Sequence, residues 1–350
     1  MIKGLSKNSK RIRLLIKTGI LLALMFIIPG CSSSPAGALF PIVSEGRWGF
    51  MDAQGKMIIK PQFIQVGSFH EGKAAVFKDG KWGFIDESGK MVIAPQFDNS
   101  KAPYFSEGLA AVRSGDSFGF INQEGQFVIE PQFQKADSFS EGLAEAQADE
   151  SMGFINTAGE YVIQPQFLRA DRFSDGRAVV SVKQSEGFPK KGYINKQGDL
   201  VVAPQYDEAM FFAEGLAVVG MRGDKWKKSL GYIDPTGKMA IPMQYQEANW
   251  FSEGLAAVGV GADDTKTGYI NQAGQMVIEA KYDWGDSFSE GLAAVTIGDK
   301  KGFIDKNGNM VIPLRFERAK NFKNSLAKVY ENGKWAYINP SGEVIKYFEW

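Results

Sequence analysis

The chain has 350 residues, of which 44% are hydrophobic and 23% charged, a composition typical of a globular protein rather than a disordered one. A single histidine (His70) and a single cysteine (Cys31) exclude a Cys/His zinc cluster and an intramolecular disulfide, and a His-containing triad would have to use His70. Residues 1–30 carry six basic and no acidic residues, so 34 basic residues face 40 acidic ones in the remainder, whose net charge of −6 argues against nucleic-acid binding.

The N-terminus has the order of a secretory signal. A basic stretch ends at Lys17, and an apolar run of about 10 residues follows, whereas a membrane-spanning helix needs roughly 20. Ile28-Pro29-Gly30-Cys31 resembles a bacterial lipobox. The resemblance implies a signal peptide over 1–30, cleavage after Gly30, a lipid on Cys31 and a short tether over 31–38. The alternative is a simple secretory signal with an incidental cysteine. We therefore expect an exported protein, lipid-anchored to the bacterial cell membrane or outer membrane.

One unit recurs from about Leu39 to the end of the chain, and it predicts an array over 39–350. Its mark is a glycine, an aromatic residue, an aliphatic residue and Asp or Asn, at spacings of 34 to 39 residues. The nine copies are Gly49-Phe50-Met51-Asp52, Gly83-Phe84-Ile85-Asp86, Gly119-Phe120-Ile121-Asn122, Gly153-Phe154-Ile155-Asn156, Gly192-Tyr193-Ile194-Asn195, Gly231-Tyr232-Ile233-Asp234, Gly268-Tyr269-Ile270-Asn271, Gly302-Phe303-Ile304-Asp305 and the degenerate Ala336-Tyr337-Ile338-Asn339.

Each unit reads as three β-strands joined by turns. In the second unit the strands are predicted at 74–77, 82–86 and 91–93, and a proline-containing link leads to the next unit. The Asp or Asn after the middle strand is followed three positions later by glycine, which indicates a turn whose glycine, such as Gly89 or Gly125, has positive φ. Prolines such as Pro95 are predicted to end the third strand.

The repeated acidic residues are predicted to be structural. A carboxylate that recurs in every unit, as in Glu107-Gly108, serves the unit, whereas catalysis needs one geometry in one cleft. Calcium binding and a hidden glycosidase pair are the alternatives, but no alternating acidic ladder follows the Asp/Asn turns. We expect no enzyme, no cofactor and no metal.

A unit of about 35 residues cannot bury its aromatic rings alone, so neighbouring units must stack on each other. The sequence predicts an all-β tandem array of about nine three-stranded units. An open, solenoid-like superhelix is favoured, and a closed β-propeller-like ring is the alternative. The array begins with a first strand and ends with a third strand, so nothing indicates that the termini share a strand to close a ring. Propellers typically have about four to eight blades, so nine would be unusual.

Trp48-Gly49, Trp82-Gly83 and Lys334-Trp335 carry a family resemblance. Together with Gly89-Lys90 and Pro95-Gln96-Phe97, they make the unit similar to the bacterial WG (KWG) repeat. The resemblance implies an all-β repeat protein, often exported, with no established enzymatic activity. The tryptophan position varies in the middle units, which argues that its side chain is at least partly exposed.

Two functions are consistent with the sequence. The first is a membrane-anchored protein-interaction scaffold at the cell envelope. The second is a cell-wall or glycan-binding module in which Trp48, Trp82 and Trp335 stack on sugar faces. The competing interpretation, which we weigh more heavily, places these rings in the core with Trp250 and Trp284. The expected partners are the membrane, through a lipid on Cys31, and a protein or glycan of unspecified identity.

Overall fold

In the computed structural model, residues 37–223, 227–261 and 264–349 are described. The predicted signal peptide and Cys31 lie outside the described residues, as does the tether up to residue 36. The first strand begins at Phe40, close to the predicted start of the array. In the described part of the chain, no helix has the length and apolar character needed to cross a membrane.

The described residues form 35 strands in nine antiparallel sheets that follow one another along the chain. Sheets 1 to 3 consist of β1 (Phe40–Ser44), β2 (Arg47–Met51), β3 (Met57–Phe63); β4 (Gln65–His70), β5 (Lys73–Lys78), β6 (Lys81–Asp86), β7 (Met91–Phe97); and β8 (Phe105–Ser106), β9 (Leu109–Ser114), β10 (Ser117–Ile121), β11 (Phe127–Phe133). Sheets 4 to 6 consist of β12 (Lys135–Ala136), β13 (Ala144–Ala148), β14 (Ser151–Ile155), β15 (Tyr161–Phe167); β16 (Arg169–Ala170), β17 (Ala178–Val182), β18 (Lys190–Ile194), β19 (Leu200–Tyr206); and β20 (Glu208–Ala209), β21 (Ala217–Arg222), β22 (Lys228–Ile233), β23 (Met239–Tyr245). Sheets 7 to 9 consist of β24 (Glu247–Ala248), β25 (Leu255–Val260), β26 (Lys266–Asn271), β27 (Met276–Tyr282); β28 (Trp284–Gly285), β29 (Ala293–Ile297), β30 (Lys300–Ile304), β31 (Met310–Phe316); and β32 (Arg318–Ala319), β33 (Ala327–Glu331), β34 (Lys334–Ile338), β35 (Val344–Phe348).

Eight of the nine sheets have four strands, whereas the sequence predicted three. The additional strand lies in the predicted link and is usually two residues long, as in the pairing of Lys135 and Ala136 with Gln147 and Ala146. So short a segment has no alternating apolar pattern by which to recognise it. Sheet 1 lacks this strand, and its three strands correspond to the second, third and fourth strands of the others.

The Asp/Asn turns form as predicted. The Asp86 carboxylate accepts hydrogen bonds from the backbone N–H groups of Ser88 and Lys90, at 2.9 and 3.0 Å. Gly89 closes the turn with a φ of 85°, and Gly125 does so with 83°. Positive φ favours glycine because it has no Cβ to clash with the backbone.

The glycine of the repeated tetrad lies where the fourth strand bulges towards the third. In sheet 4, Met152 pairs with Phe167 and Phe154 with Ile163, so the fourth strand holds two extra residues at this point. A Cβ on Gly153 would lie 2.5 Å from the Ile163 carbonyl oxygen, which leaves no room for a side chain. Pro165 lies in this bulge, inside β15, which corrects the prediction that the proline ends the strand.

The ninth sheet explains why its tetrad begins with alanine. Ala336 pairs with Tyr347 in continuous register with its neighbours, and the only shift lies one position later. The Ala336 methyl group therefore does not meet a bulged strand. The tetrad needs glycine where the fourth strand bulges towards it. The last copy tolerates alanine because the fourth strand does not bulge opposite that position.

The core lies between successive sheets. Phe84 of sheet 2 contacts Phe105 of sheet 3 at 4.9 Å between ring centroids, and the same pairing recurs for Phe120 with Phe139 and Phe154 with Phe173. The turn glycine of each sheet also packs against the preceding sheet, as Gly89 does on Ile59. Among the described residues, every buried hydrophobic cluster combines residues of two neighbouring sheets, which confirms the prediction that units stabilise each other.

The nine sheets close into a ring, a nine-bladed β-propeller. Gly55 of sheet 1 packs on Ile345 of sheet 9 as Gly89 packs on Ile59. The Tyr337 hydroxyl donates a hydrogen bond to the Pro41 carbonyl at 2.9 Å, and the Phe40 and Tyr337 rings lie 5.6 Å apart.

The prediction of an all-β repeat array is confirmed. The units are arranged as the closed ring, which was the alternative to the open superhelix. The favoured open superhelix is not observed, because the termini meet through apolar packing rather than through a shared strand. Phe40, Ile42 and Phe348 belong to the buried cluster at this seam. An array whose first and last units do not share a strand can therefore still close into a ring.

Candidate functional site

From the lining of one cleft we infer that the short first strands and the links that contain them face the middle of the ring. One cleft of about 780 Å³ is lined by link residues of four successive sheets, among them Tyr104, Asp137, Arg172 and Phe211. Side chains from four blades converge on one space only at the inner edges of radially arranged sheets. We call the surface formed by these links the central face.

The repeated carboxylates hold neighbouring blades together. Glu107 accepts a hydrogen bond from the Gly142 N–H at 2.9 Å, one sheet further along the chain. The same bond from the next sheet's backbone reaches Glu71, Glu141, Asp175, Glu214, Glu253 and Glu290. Each carboxylate has a structural partner, in agreement with the prediction that these residues serve the unit.

A repeated serine forms a second bond between blades. The Ser106 hydroxyl donates to the Phe139 carbonyl at 2.8 Å, and the bond recurs at Ser140, Ser174, Ser252 and Ser289. His70 stands at this position in sheet 2, and its ring lies 5.0 Å from that of Tyr104. Partial burial and the Lys323 ammonium lower the pKa of His70 below its usual value.

The three tryptophans named as candidate binding residues differ in their exposure. Trp82 is only 3% exposed, and its indole N–H donates to the Asn99 carbonyl at 2.9 Å. Trp48 and Trp335 are half-buried at the seam, with the Lys328 ammonium 6.0 Å and 4.5 Å from their ring centroids. Burial lowers the pKa of Lys328 to about 8. A glycan-binding role for these rings stays a prediction.

Two other tryptophans are exposed, although the sequence placed them in the core. Trp250 is 39% and Trp284 is 40% exposed. Trp250 precedes the buried Phe251, and its ring lies 5.2 Å from that of Phe211, which the Arg172 guanidinium covers at 5.8 Å. An aromatic and cationic strip therefore crosses three successive blades of the central face.

This strip occupies a position that varies from unit to unit. The residue before the buried link phenylalanine is Ser68, Tyr104, Ser138, Arg172, Phe211, Trp250, Ser287 or Asn321. An alignment of the eight units that have this link would show the variation beside an invariant phenylalanine. The features shared by the units do not reveal this position.

Glu145 is the charged residue of the central face that is most deeply buried. It is 6% exposed, lines the 780 Å³ cleft, and its Oε2 atom has no hydrogen-bond partner among the described residues. Burial, with the nearby carboxylates of Asp137 and Asp171, raises the pKa of Glu145 to about 8. Among the described residues, no group of three or more His, Cys, Asp or Glu side chains is placed to hold a metal ion.

Comparison with known proteins gives one family and one fold. The family model described as "WG containing repeat" matches eight times, at residues 48–82, 82–116, 118–150, 152–184, 192–226, 231–261, 268–300 and 302–335. A search of curated proteins finds no match.

Among solved structures, the chain is similar to one titled as the eukaryotic initiation factor. The TM-score is 0.65 at 11% identity, with 89% of this chain and 96% of that one covered. It is more distantly similar to a puromycin hydrolase, at a TM-score of 0.38, 12% identity, and coverage of 78% and 58%. The Hsv2 protein of Kluyvelomyces marxianus gives 0.39, 8% identity, and coverage of 70% and 93%. At these identities the first likeness shows the fold alone.

Proposed function

The chain belongs to the family of proteins built from WG-containing repeats, and from its ring geometry we propose that it is an interaction scaffold whose partner binds the central face. The proposal assigns it a binding role and no catalytic step. Repeat proteins bind through extended surfaces that are assembled from equivalent positions in successive units.

The separation of repeated and varied residues carries this proposal. The repeated carboxylates and serines are occupied in bonds between blades, as in Glu107 to Gly142 and Ser106 to Phe139. At the varied position beside the link phenylalanine, Tyr104, Ser138, Arg172 and Phe211 line the 780 Å³ cleft, and the Trp250 ring is 39% exposed. Exposed aromatic rings beside arginine are typical of the energetically dominant residues in protein interfaces.

Site-specific crosslinking tests where the partner binds. A photoreactive phenylalanine analogue at Trp250 is expected to crosslink a partner protein in intact cells. The matched position is Val128 on the outer fourth strand of sheet 3, which is 49% exposed and equally able to react. Equal crosslinking at the two positions, or crosslinking at Val128 alone, would contradict the assignment of the central face.

The finer part of the proposal concerns location. We propose that the protein is exported and held by a lipid on Cys31, at the cell membrane or outer membrane of a bacterium. The lone cysteine directly after a short apolar run supports this, because a free exported thiol at this position has no other evident use.

Replacing Cys31 with serine is expected to move the protein from the membrane fraction to the soluble exported fraction. A lipid contributes about 0.8 kcal/mol of membrane affinity per buried methylene, and the variant has no acceptor for it. Fractionation with detergent extraction measures the change, and Ser32→Ala is the control expected to stay with the membrane. Retention of Cys31→Ser in the membrane fraction would place the anchor elsewhere.

A further inference from the structure

Glu145 departs from the pattern of its own unit. It lies on the second strand of sheet 4, directly opposite Phe154 on the third strand. The equivalent residues of the other sheets are Pro41, Ala75, Ala111, Val179, Val218, Ala257, Ala294 and Lys328. Six of these eight are alanine or valine, so the fold does not require a carboxylate at this position.

The carboxyl group at this position opposes folding. An ionised carboxylate loses its hydration on burial, and it regains stability only through a cation or hydrogen-bond donors. Glu145 is 6% exposed and its Oε2 atom has no partner among the described residues. Native proteins satisfy nearly all buried polar atoms, so this oxygen is available to accept a hydrogen bond from a donor that enters the cleft.

The cleft around this oxygen is lined by both apolar and charged side chains. Phe118, Met152 and Phe211 contribute apolar surface. The carboxylates of Asp137 and Asp171 add negative charge near Glu145, and the Arg172 guanidinium offsets part of it. The charged groups that line the cleft are Lys101, Lys135, Asp137, Glu145, Asp171 and Arg172, and Tyr104 adds a phenol. Lys101, Lys135 and Arg172 are exposed, and the Arg172 guanidinium lies over the Phe211 ring.

We propose that this cleft binds an ammonium or guanidinium group carried on an apolar chain, and that the cation pairs with Glu145. The ion pair forms at the cleft floor while the apolar chain packs on the aromatic and Met152 surface. A cation of this kind is presented equally by a lysine or arginine side chain of a partner protein and by a small amine. The proposal deepens the scaffold function because it lies on the same central face.

Ionisation of Glu145 gives the site a distinctive pH dependence. With a pKa near 8, the free site holds a proton at neutral pH, and a cation pairs only with the ionised form. Binding therefore releases a proton, and affinity rises with pH until the carboxylate is fully ionised. An alkylammonium stays charged over this range because its own pKa is about 10.

Titration calorimetry with n-butylammonium chloride and with an acetylated Gly-Lys-Gly tripeptide amide tests the proposal. At least one of the two is expected to bind the parent protein, more tightly at about pH 8.5 than at about pH 6.5. The isosteric Glu145→Gln variant is expected to lose about tenfold or more in affinity, together with the pH dependence. Glu124→Gln, an exposed change on a turn of sheet 3, is the matched control and is expected to bind as the parent does.

The two titrations distinguish a protein side chain from a small amine as the ligand. Tighter binding of the tripeptide identifies a protein side chain as the natural cation, and equal or tighter binding of butylammonium identifies a small amine. Equal binding by the parent and Glu145→Gln, equal binding of neutral n-butanol, or binding of neither probe would overturn the proposal. Thermal unfolding of Glu145→Gln verifies that the variant is folded. Crosslinking at Trp250 is independent of these titrations, so the scaffold function and the cation site can fail separately.

Discussion

Replacing Gly153 with alanine is expected to lower the free energy of unfolding by about 3 kcal/mol or more. The new Cβ would lie 2.5 Å from the Ile163 carbonyl oxygen and 2.8 Å from the Pro165 nitrogen, both backbone atoms of the bulged fourth strand. These backbone atoms cannot move aside as the end of a flexible side chain would. The cost is the separation of two paired strands in the middle of a blade.

Chemical denaturation of Gly153→Ala and of Gly142→Ala separates this clash from ordinary backbone strain. Gly142 has a φ of 83° but nothing within 4 Å of its Cβ position. Alanine there is expected to cost only about 1 kcal/mol, for the left-handed conformation. If Gly153→Ala is no less stable than Gly142→Ala, the bulge does not require glycine, and our explanation of Ala336 is wrong as well.

Glu145 is expected to make folding stability fall as the pH rises from about 4.5 to about 8. Its pKa is higher in the folded than in the unfolded protein. Between the two values the folded state therefore holds a proton that the unfolded state has released. The stability contributed by this retained proton is fully present below the pKa of Glu145 in the unfolded protein. It is lost as the pH rises through the pKa of Glu145 in the folded protein. Each unit of pKa difference corresponds to about 1.4 kcal/mol, so a loss of several kcal/mol is expected.

Denaturation curves of the parent and of Glu145→Gln over this pH range measure the contribution. The glutamine variant is expected to be the more stable protein at neutral pH, with a flatter pH profile. Glu124→Gln, whose side chain is exposed, is expected to follow the parent at every pH. Parallel pH profiles for the parent and Glu145→Gln would mean that the buried carboxyl group is already compensated in the folded state.

Much of the blade could be predicted from local sequence. The Asp/Asn turns need only a side-chain acceptor and a glycine three residues later, and Asp86 and Gly89 form the predicted geometry. The short first strand could not be predicted, because two residues such as Lys135 and Ala136 carry no periodic pattern. The bulge was also hidden, since it depends on the register between two strands rather than on either one.

Ring closure depends on contacts that no local pattern encodes. The Tyr337 hydroxyl and the Pro41 carbonyl belong to residues 296 positions apart. Tyrosine hydroxyls also bond to the next blade elsewhere, as from Tyr232 to the Asn249 carbonyl at 2.9 Å, but there the acceptor lies in the link. The bond at the seam depends on the accumulated curvature of nine units, which no single unit reveals.

The candidate site was the least predictable part of the molecule. Trp250 and the buried Phe251 are adjacent in sequence, and only their placement on the link decides which ring is exposed. The carboxylates and serines that recur along the chain form bonds between blades, whereas the central face is built from residues that differ. Glu145 could have been found from sequence, because it is a charged residue in an otherwise apolar register.

The distance between sheets 1 and 9 tests the closed ring most directly. In the Cys31→Ser background, spin labels at Gln54→Cys and Lys346→Cys report across the seam by double electron–electron resonance. Both positions are exposed, beside Gly55 and Ile345. Labels at Glu124→Cys and Ala94→Cys report the corresponding distance between sheets 2 and 3, beside Gly125 and Ile93. The ring predicts similar, narrow distance distributions for the two pairs. A seam distance much longer than the control distance would contradict the ring and support an open array.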